Sequence, residues 1–312
     1  MYVRRAIDTS TRLEPGTPPA TRDIEDASTP LEAPETRTVS PEPYLLTGDL
    51  CEAVNIAITL GRPLLVQGDP GVGKTRLAHA VAYRLGLPLE QAHVKSTSRA
   101  RDLLYTYDAV RRLADAQLSG ILKEKLPEPE TYVRLGPLGR VIARAQLGRR
   151  SVLLIDEIDK ADLDFPNDLL RELDELRFEV DEVPDIAYAV PAGRADLRPI
   201  IIVTNNEEKQ LPGAFLRRCV FHYVRFPEDD LDDILDMHGI ADDEVRDNAI
   251  DTLLELRKLD LTYKPGLSEL LDWVESMRRD EVTAEEIAGL PKLGSLVKNY
   301  DDQVRVEKRN RA

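Results

Sequence analysis

The chain has 312 residues, 42% of them hydrophobic, enough for one large folded domain or two. Its 57 acidic against 42 basic side chains leave a formal net charge of -15, which repels nucleic acid and anionic membrane on average. No apolar run approaches the roughly 20 residues of a membrane helix and no signal-peptide core opens the chain, and only two distant cysteines are present, Cys51 and Cys219. These features argue against membrane insertion, a disulfide framework or a zinc site, and for a reducing, cytoplasmic setting.

Residues 1–43 hold seven prolines and seven threonines and show no helical or strand period, so they read as a disordered tail, with a docking segment for a partner as the alternative. From Tyr44 the pattern changes. Leu50, Val54, Ala57 and Ile58 mark a helix between Thr47 and Gly61, a strand follows at 63–67, and Leu77, Val81 and Leu85 mark a second helix closed by Gly86. A strand is predicted at 91–95, then an Arg-rich helical stretch at 98–118. Its Arg99, Arg101, Arg111 and Arg112 read as a solvated face, with a pore-facing or neighbour-facing role as the alternative. A loop at 121–129, a short strand at 132–135 and a helix at 138–147 come next.

Val152-Leu153-Leu154-Ile155 is apolar at every position, the signature of a parallel strand buried on both faces. A helix with Leu169, Leu170, Leu173 and Leu176 on one face leads to a hairpin over 178–190, a second buried strand at 200–203, a short helix after Leu211-Pro212-Gly213 and a last strand at 220–226. The alternation predicts an α/β domain, a mostly parallel sheet with helices on both faces, over 44–227. Beyond it, Leu267, Leu270, Leu271 and Val274 show helical spacing and the strands stop, so 228–312 reads as a small all-helical domain.

The chemistry sits at strand ends. Gly68-Asp69-Pro70-Gly71-Val72-Gly73-Lys74-Thr75 fits Gly-x-x-x-x-Gly-Lys-[Ser/Thr] between a strand and a helix; with Arg76 it forms the candidate phosphate-binding set. Glycines let backbone N–H groups converge on phosphate, Lys74 suits the β and γ phosphates, and the Thr75 hydroxyl suits magnesium. Asp156-Glu157 ends the 152–155 strand, and carboxyl strand ends form the ligand crevice of such sheets. One carboxylate holds magnesium, assigned to Asp156, and one orients the attacking water, assigned to Glu157. Asp159 and Lys160 read as surface or interface residues. Thr204, Asn205 and Asn206 end another strand, where an amide can sense the γ-phosphate, although Asn is also an ordinary turn residue.

These motifs, together with Leu211-Pro212-Gly213-Ala214-Phe215-Leu216-Arg217-Arg218-Cys219, resemble the AAA+ ATPases and within them the MoxR-like group, from about Tyr44 to the helical C-terminal region. The resemblance implies a P-loop fold with a helical lid, ATP and Mg2+ as cofactors, and ATP hydrolysis in a homo-oligomeric, hexameric ring. It implies a chaperone or remodelling role on a protein client, in some members beside a von Willebrand factor type A domain protein. It places the arginine finger on Arg218, with Arg217 as the adjacent alternative, and the first sensor on Asn206, with Asn205 second. Where many lids carry a second-sensor arginine, this chain has Glu269, with Lys264 nearby. An ATP-gated scaffold with slow hydrolysis is the competing expectation, and a nucleic-acid motor a third.

Overall fold

The computed structural model describes residues 8, 10–15, 21–26, 35–123, 125–280, 284–287 and 289–310. The chain divides into two compact units, the first Met1–Glu42, Leu46–Gln67 and Ala78–His222, the second Pro43–Leu45, Gly68–Leu77 and Tyr223–Ala312.

In the first half of the chain the elements are β1 (Arg22–Glu25), β2 (Thr36–Val39), α1 (Gly48–Leu60), β3 (Leu64–Gln67), α2 (Lys74–Leu85), β4 (Leu89–His93), α3 (Ala100–Leu104), β5 (Tyr105–Tyr107), α4 (Ala109–Leu122), β6 (Val133–Leu135) and α5 (Pro137–Gln146). They continue as β7 (Val152–Asp156), α6 (Phe165–Asp168), α7 (Leu170–Glu175), β8 (Arg177–Glu179), β9 (Ala187–Ala189), β10 (Ile200–Asn205), α8 (Gly213–Leu216) and β11 (Val220–Tyr223). The helical region holds α9 (Leu231–Met237), α10 (Asp243–Arg257), α11 (Leu267–Arg279), α12 (Ala284–Ile287), α13 (Leu293–Leu296) and α14 (Tyr300–Asn310).

The first unit is organised on a five-stranded parallel sheet in the order β11-β3-β10-β7-β4 with flanking helices. Strands β7 and β10 are buried at every position. Each of Val152, Leu153, Leu154 and Ile155 has no exposed surface, and burying such a side chain contributes about 2 kcal/mol. The register sets Val203 beside Ile155, Asn205 beside Gln67 and His93 beside Asp156, so four strands end along one rim. Leu138, Val141 and Ile142 of α5 join Leu153, Ile155, Ile201 and Val203 in the core. The expected hairpin is present, with Phe178 opposite Tyr188.

Two regions depart from the sequence reading. The single Arg-rich helix is two helices split by β5, which pairs antiparallel with β6, because Tyr105 buries its ring against Phe178 while no residue of α4 is fully buried. The second departure concerns 1–43. Residues 1–7, 9, 16–20 and 27–34 lie outside the described residues, but the rest are not a tail without regular structure: β1 and β2 pair antiparallel and Leu13 is 2% exposed. The order comes from side chains elsewhere, since Arg144 and Arg149 both pair with Glu25 at 2.8 Å.

In the second unit, Leu235, Leu253, Leu270, Trp273, Val274 and Val297 form a separate apolar core, and the Trp273 indole N–H donates to the Pro291 carbonyl at 2.7 Å. No helix among the described residues is long and apolar enough to cross a membrane.

Candidate functional site

The phosphate-loop motif belongs to the second unit and is shaped by backbone. Gly68 has φ +149°, and a Cβ there would stand 2.3 Å from the Val224 carbonyl oxygen. Gly73 has φ +89°, and the Tyr44 ring lies 3.2 Å from where its side chain would begin. Only glycine fits both places. Lys74 is 6% exposed and its ammonium donates to the carbonyls of Gly68 at 2.6 Å and Asp69 at 2.7 Å, which fixes the cation at the centre of the loop. The loop opens directly into α2, whose first-turn N–H groups point toward it. Val72 is buried and Arg76 is exposed.

Nearby in the same unit, the Ser268 backbone N–H and hydroxyl donate to the Gly71 carbonyl at 3.3 and 3.4 Å. Glu269 accepts from the Gly266 N–H at 3.0 Å as part of the α11 cap, and Lys264 is exposed. A cation that sequence spacing does not single out is Arg257. Its guanidinium stacks 3.6 Å over the Phe226 ring, donates to the Pro265 carbonyl, and is lowered from its usual pKa by burial against the opposing pull of Asp69.

In the first unit, a network of short side chains joins the ends of β7 and β10. The Thr204 hydroxyl, 1% exposed, donates to Asp156 Oδ1 at 2.7 Å and accepts the Glu157 N–H at 2.8 Å. It ties both carboxylate residues to the neighbouring strand. His93 Nδ1 stands 3.4 Å from the other Asp156 oxygen. Glu157 sits at φ +57°, an unusual conformation for a non-glycine residue, and such outliers cluster at functional sites. Its carboxylate is held from two sides, by the Asn206 side-chain amide at 3.2 Å and the Lys160 ammonium at 2.5 Å. That bond to Glu157 keeps Lys160 protonated above its ordinary range.

Asp159 is 2% exposed, not a surface residue, and its Oδ2 accepts the N–H groups of Asn206 at 3.1 Å and Glu208 at 2.9 Å. It thereby fixes the turn that presents Asn206. Asn205 instead folds its side chain onto the Glu207 N–H at 2.9 Å, a local turn bond. Arg218 joins a different neighbourhood: its Nε donates to Asp174 of α7 at 2.8 Å and Nη1 to the Ala214 carbonyl at 3.1 Å, while Arg217 is exposed.

The structure therefore brings Asp156, Glu157 and Asn206 together and adds Thr204, Asp159 and Lys160 to them. Thr204 is visible in the sequence as a strand-end hydroxyl, but its bridging role depends on register with a strand 48 residues away. The donor set suits its proposed cargo. A glycine cradle with a buried ammonium fits phosphate, and the Thr75 hydroxyl in the second unit and the Asp156 carboxylate in the first are each an oxygen donor of the hard kind that magnesium takes. The sequence profile of the AAA domain (dynein-related subfamily) matches residues 63–219, which include the loop, Asp156, Glu157, Asn206 and Arg218. A comparison with curated proteins finds no match.

Proposed function

Because the chain belongs to the AAA domain family, dynein-related subfamily, we propose that it is a MoxR-like ATPase that binds and hydrolyses ATP in a ring of identical subunits. The observation that carries this reading is the Thr204 bridge, which holds Asp156 and the Glu157 backbone in one arrangement while Asn206 reaches the Glu157 carboxylate. In this mechanism the loop amides and Lys74 bind the β and γ phosphates. Thr75 and Asp156 would hold magnesium, which when bound neutralises phosphate charge. Glu157 orients the attacking water and takes its proton, and Asn206 fixes the carboxylate's direction. Arg218 reaches the γ-phosphate bound by a neighbouring subunit, where a planar, permanent cation offsets developing charge. That role requires Arg218 to leave Asp174 on assembly.

The ring has six subunits in this reading, and the work it performs is remodelling of a protein client, with a von Willebrand factor type A domain protein as the partner to test first. Glu157→Gln removes the base and keeps the shape. Steady-state turnover is expected to fall by about 10²-fold or more while ATP binding persists; unchanged turnover would overturn the assignment.

One observation favours a second reading, an ATP-gated scaffold with slow hydrolysis. The Glu157 carboxylate is engaged by Lys160 at 2.5 Å, and an ion-paired carboxylate is a poorer base for water. Turnover and ATP-dependent assembly measured on one sample separate the two, since assembly with negligible turnover supports the scaffold.

A further inference from the structure

The amino ends of β7 and β10 form the other rim of the sheet in the first unit. Arg150 lies two residues before β7 and Arg198 two before β10. The Arg150 side chain is only 8% exposed, an unusual burial for a cation, and its Nε donates to the Arg198 carbonyl at 2.7 Å. What meets it is the N-terminal segment, through Asp8 and Thr11.

Three kinds of recognition converge on that segment. The first is backbone recognition. The Asn55 side chain of α1 accepts the Leu13 N–H at 2.7 Å and donates to the Leu13 carbonyl at 2.8 Å, so one carboxamide pairs both main-chain groups of one residue as a strand edge would. Arg84 adds a bond to the Glu14 carbonyl at 3.3 Å. The second is charge: Arg150 Nη1 donates to Asp8 Oδ2 at 2.6 Å and to the Thr11 hydroxyl at 2.9 Å. Asp8 is prepared for this, because its other oxygen accepts the Ser10 N–H and hydroxyl at 2.9 and 2.7 Å. The third is apolar burial, with Leu13 at 2% exposure.

We propose that this rim is a binding groove for a peptide bearing a carboxylate and, five residues on, a leucine, and that the segment made by Asp8 and residues 10–15 of the same chain is its resident ligand. A segment of this composition has too little apolar surface to order itself, so its conformation is supplied by the groove, as in folding on binding. Backbone pairing by Asn55 gives affinity without regard to side chains. Arg150 and the Leu13 site then give selectivity. None of these contacts depends on the nucleotide chemistry.

The test uses the full-length chain and a fluorescein-labelled peptide of residues 8–15. Leu13→Asp empties the groove while leaving its walls intact. The labelled peptide is expected to bind this variant at least tenfold more tightly than the wild-type chain, whose groove is filled, and Asn55→Ala added to Leu13→Asp is expected to abolish the gain. Equal peptide binding by all three chains overturns the proposal. Hydrogen exchange supplies a readout that survives a poorly folding variant. The wild-type Leu13 amide is expected to be protected, and Asn55→Ala to speed its exchange at least tenfold while α10 amides stay unchanged. An unprotected Leu13 amide in the wild type also overturns the proposal, and protection that fades on dilution assigns the groove to a second copy and overturns the resident-ligand assignment.

Discussion

The two rims of the first unit's sheet use polar side chains in opposite ways. At the carboxyl rim, Asp156, Glu157 and Asp159 are negative and held mainly by neutral groups, the Thr204 hydroxyl, the Asn206 amide and backbone N–H groups, with Lys160 a close cation on Glu157. At the amino rim, Arg144, Arg149 and Arg150 are positive and are each matched by a carboxylate from the N-terminal segment, Glu25 or Asp8. Neutral hydrogen bonds orient a carboxylate without cancelling its charge, which leaves it able to hold a cation or take a proton. Full ion pairs cancel charge and hold chain segments in place. The difference separates a rim suited to chemistry from a rim suited to attachment.

Each rim can be broken at one residue. After Glu157→Gln, the largest effect on turnover is expected from Thr204→Val, which keeps shape but removes the donor to buried Asp156 and the acceptor for the Glu157 N–H. Leaving such groups unpaired costs about 2 kcal/mol or more. Turnover is expected to fall at least tenfold with Thr204→Ser retaining most of it. Equal turnover in the valine and serine variants would show that the bridge is not needed.

At the opposite rim, Arg150→Met strands the buried Asp8 carboxylate, and losing one member of a buried pair costs about 3 kcal/mol. The measurement is thermal unfolding, where a wild-type melting temperature in this variant would show that the attachment contributes nothing.

The smallest effect sharpens the comparison through pH. Burial pushes the Asp8 carboxyl up, but the Ser10 hydrogen bonds and the Arg150 guanidinium outweigh it and hold the group below its ordinary range. A carboxyl depressed on folding contributes stability above its unfolded pKa and loses it as pH falls through the folded one. The stability gap between wild type and Asp8→Asn is therefore expected to be constant from pH 7 to about 5 and to close below about pH 4. A gap that widens on acidification would reverse the expected sign.

Much of the candidate site is legible in the sequence. Gly68 to Thr75 is a contiguous pattern whose residues act through the backbone between them, and Asp156-Glu157 follows an unbroken apolar strand. The choice between Asn205 and Asn206 as the amide on Glu157 is open in the sequence, and only the turn geometry separates them. Asp159 reads as a surface or interface residue because an acidic residue after a strand is usually exposed, whereas the fold buries it beneath the turn at 206–208. The amino rim is least legible, since a Pro- and Thr-rich segment carries no period and its partner Arg150 lies 142 residues away from Asp8.

By itself, then, the sequence determined the phosphate loop, the strand-end carboxylates and the alternation that makes a parallel sheet, because each is written in neighbouring residues whose local preferences agree. Tertiary structure alone decided that Thr204 bridges the carboxylates, that Asn206 reaches Glu157, and that the N-terminal segment is seated on Asn55 and Arg150. Those outcomes depend on strand register and on burial, which bring together side chains that no local spacing connects.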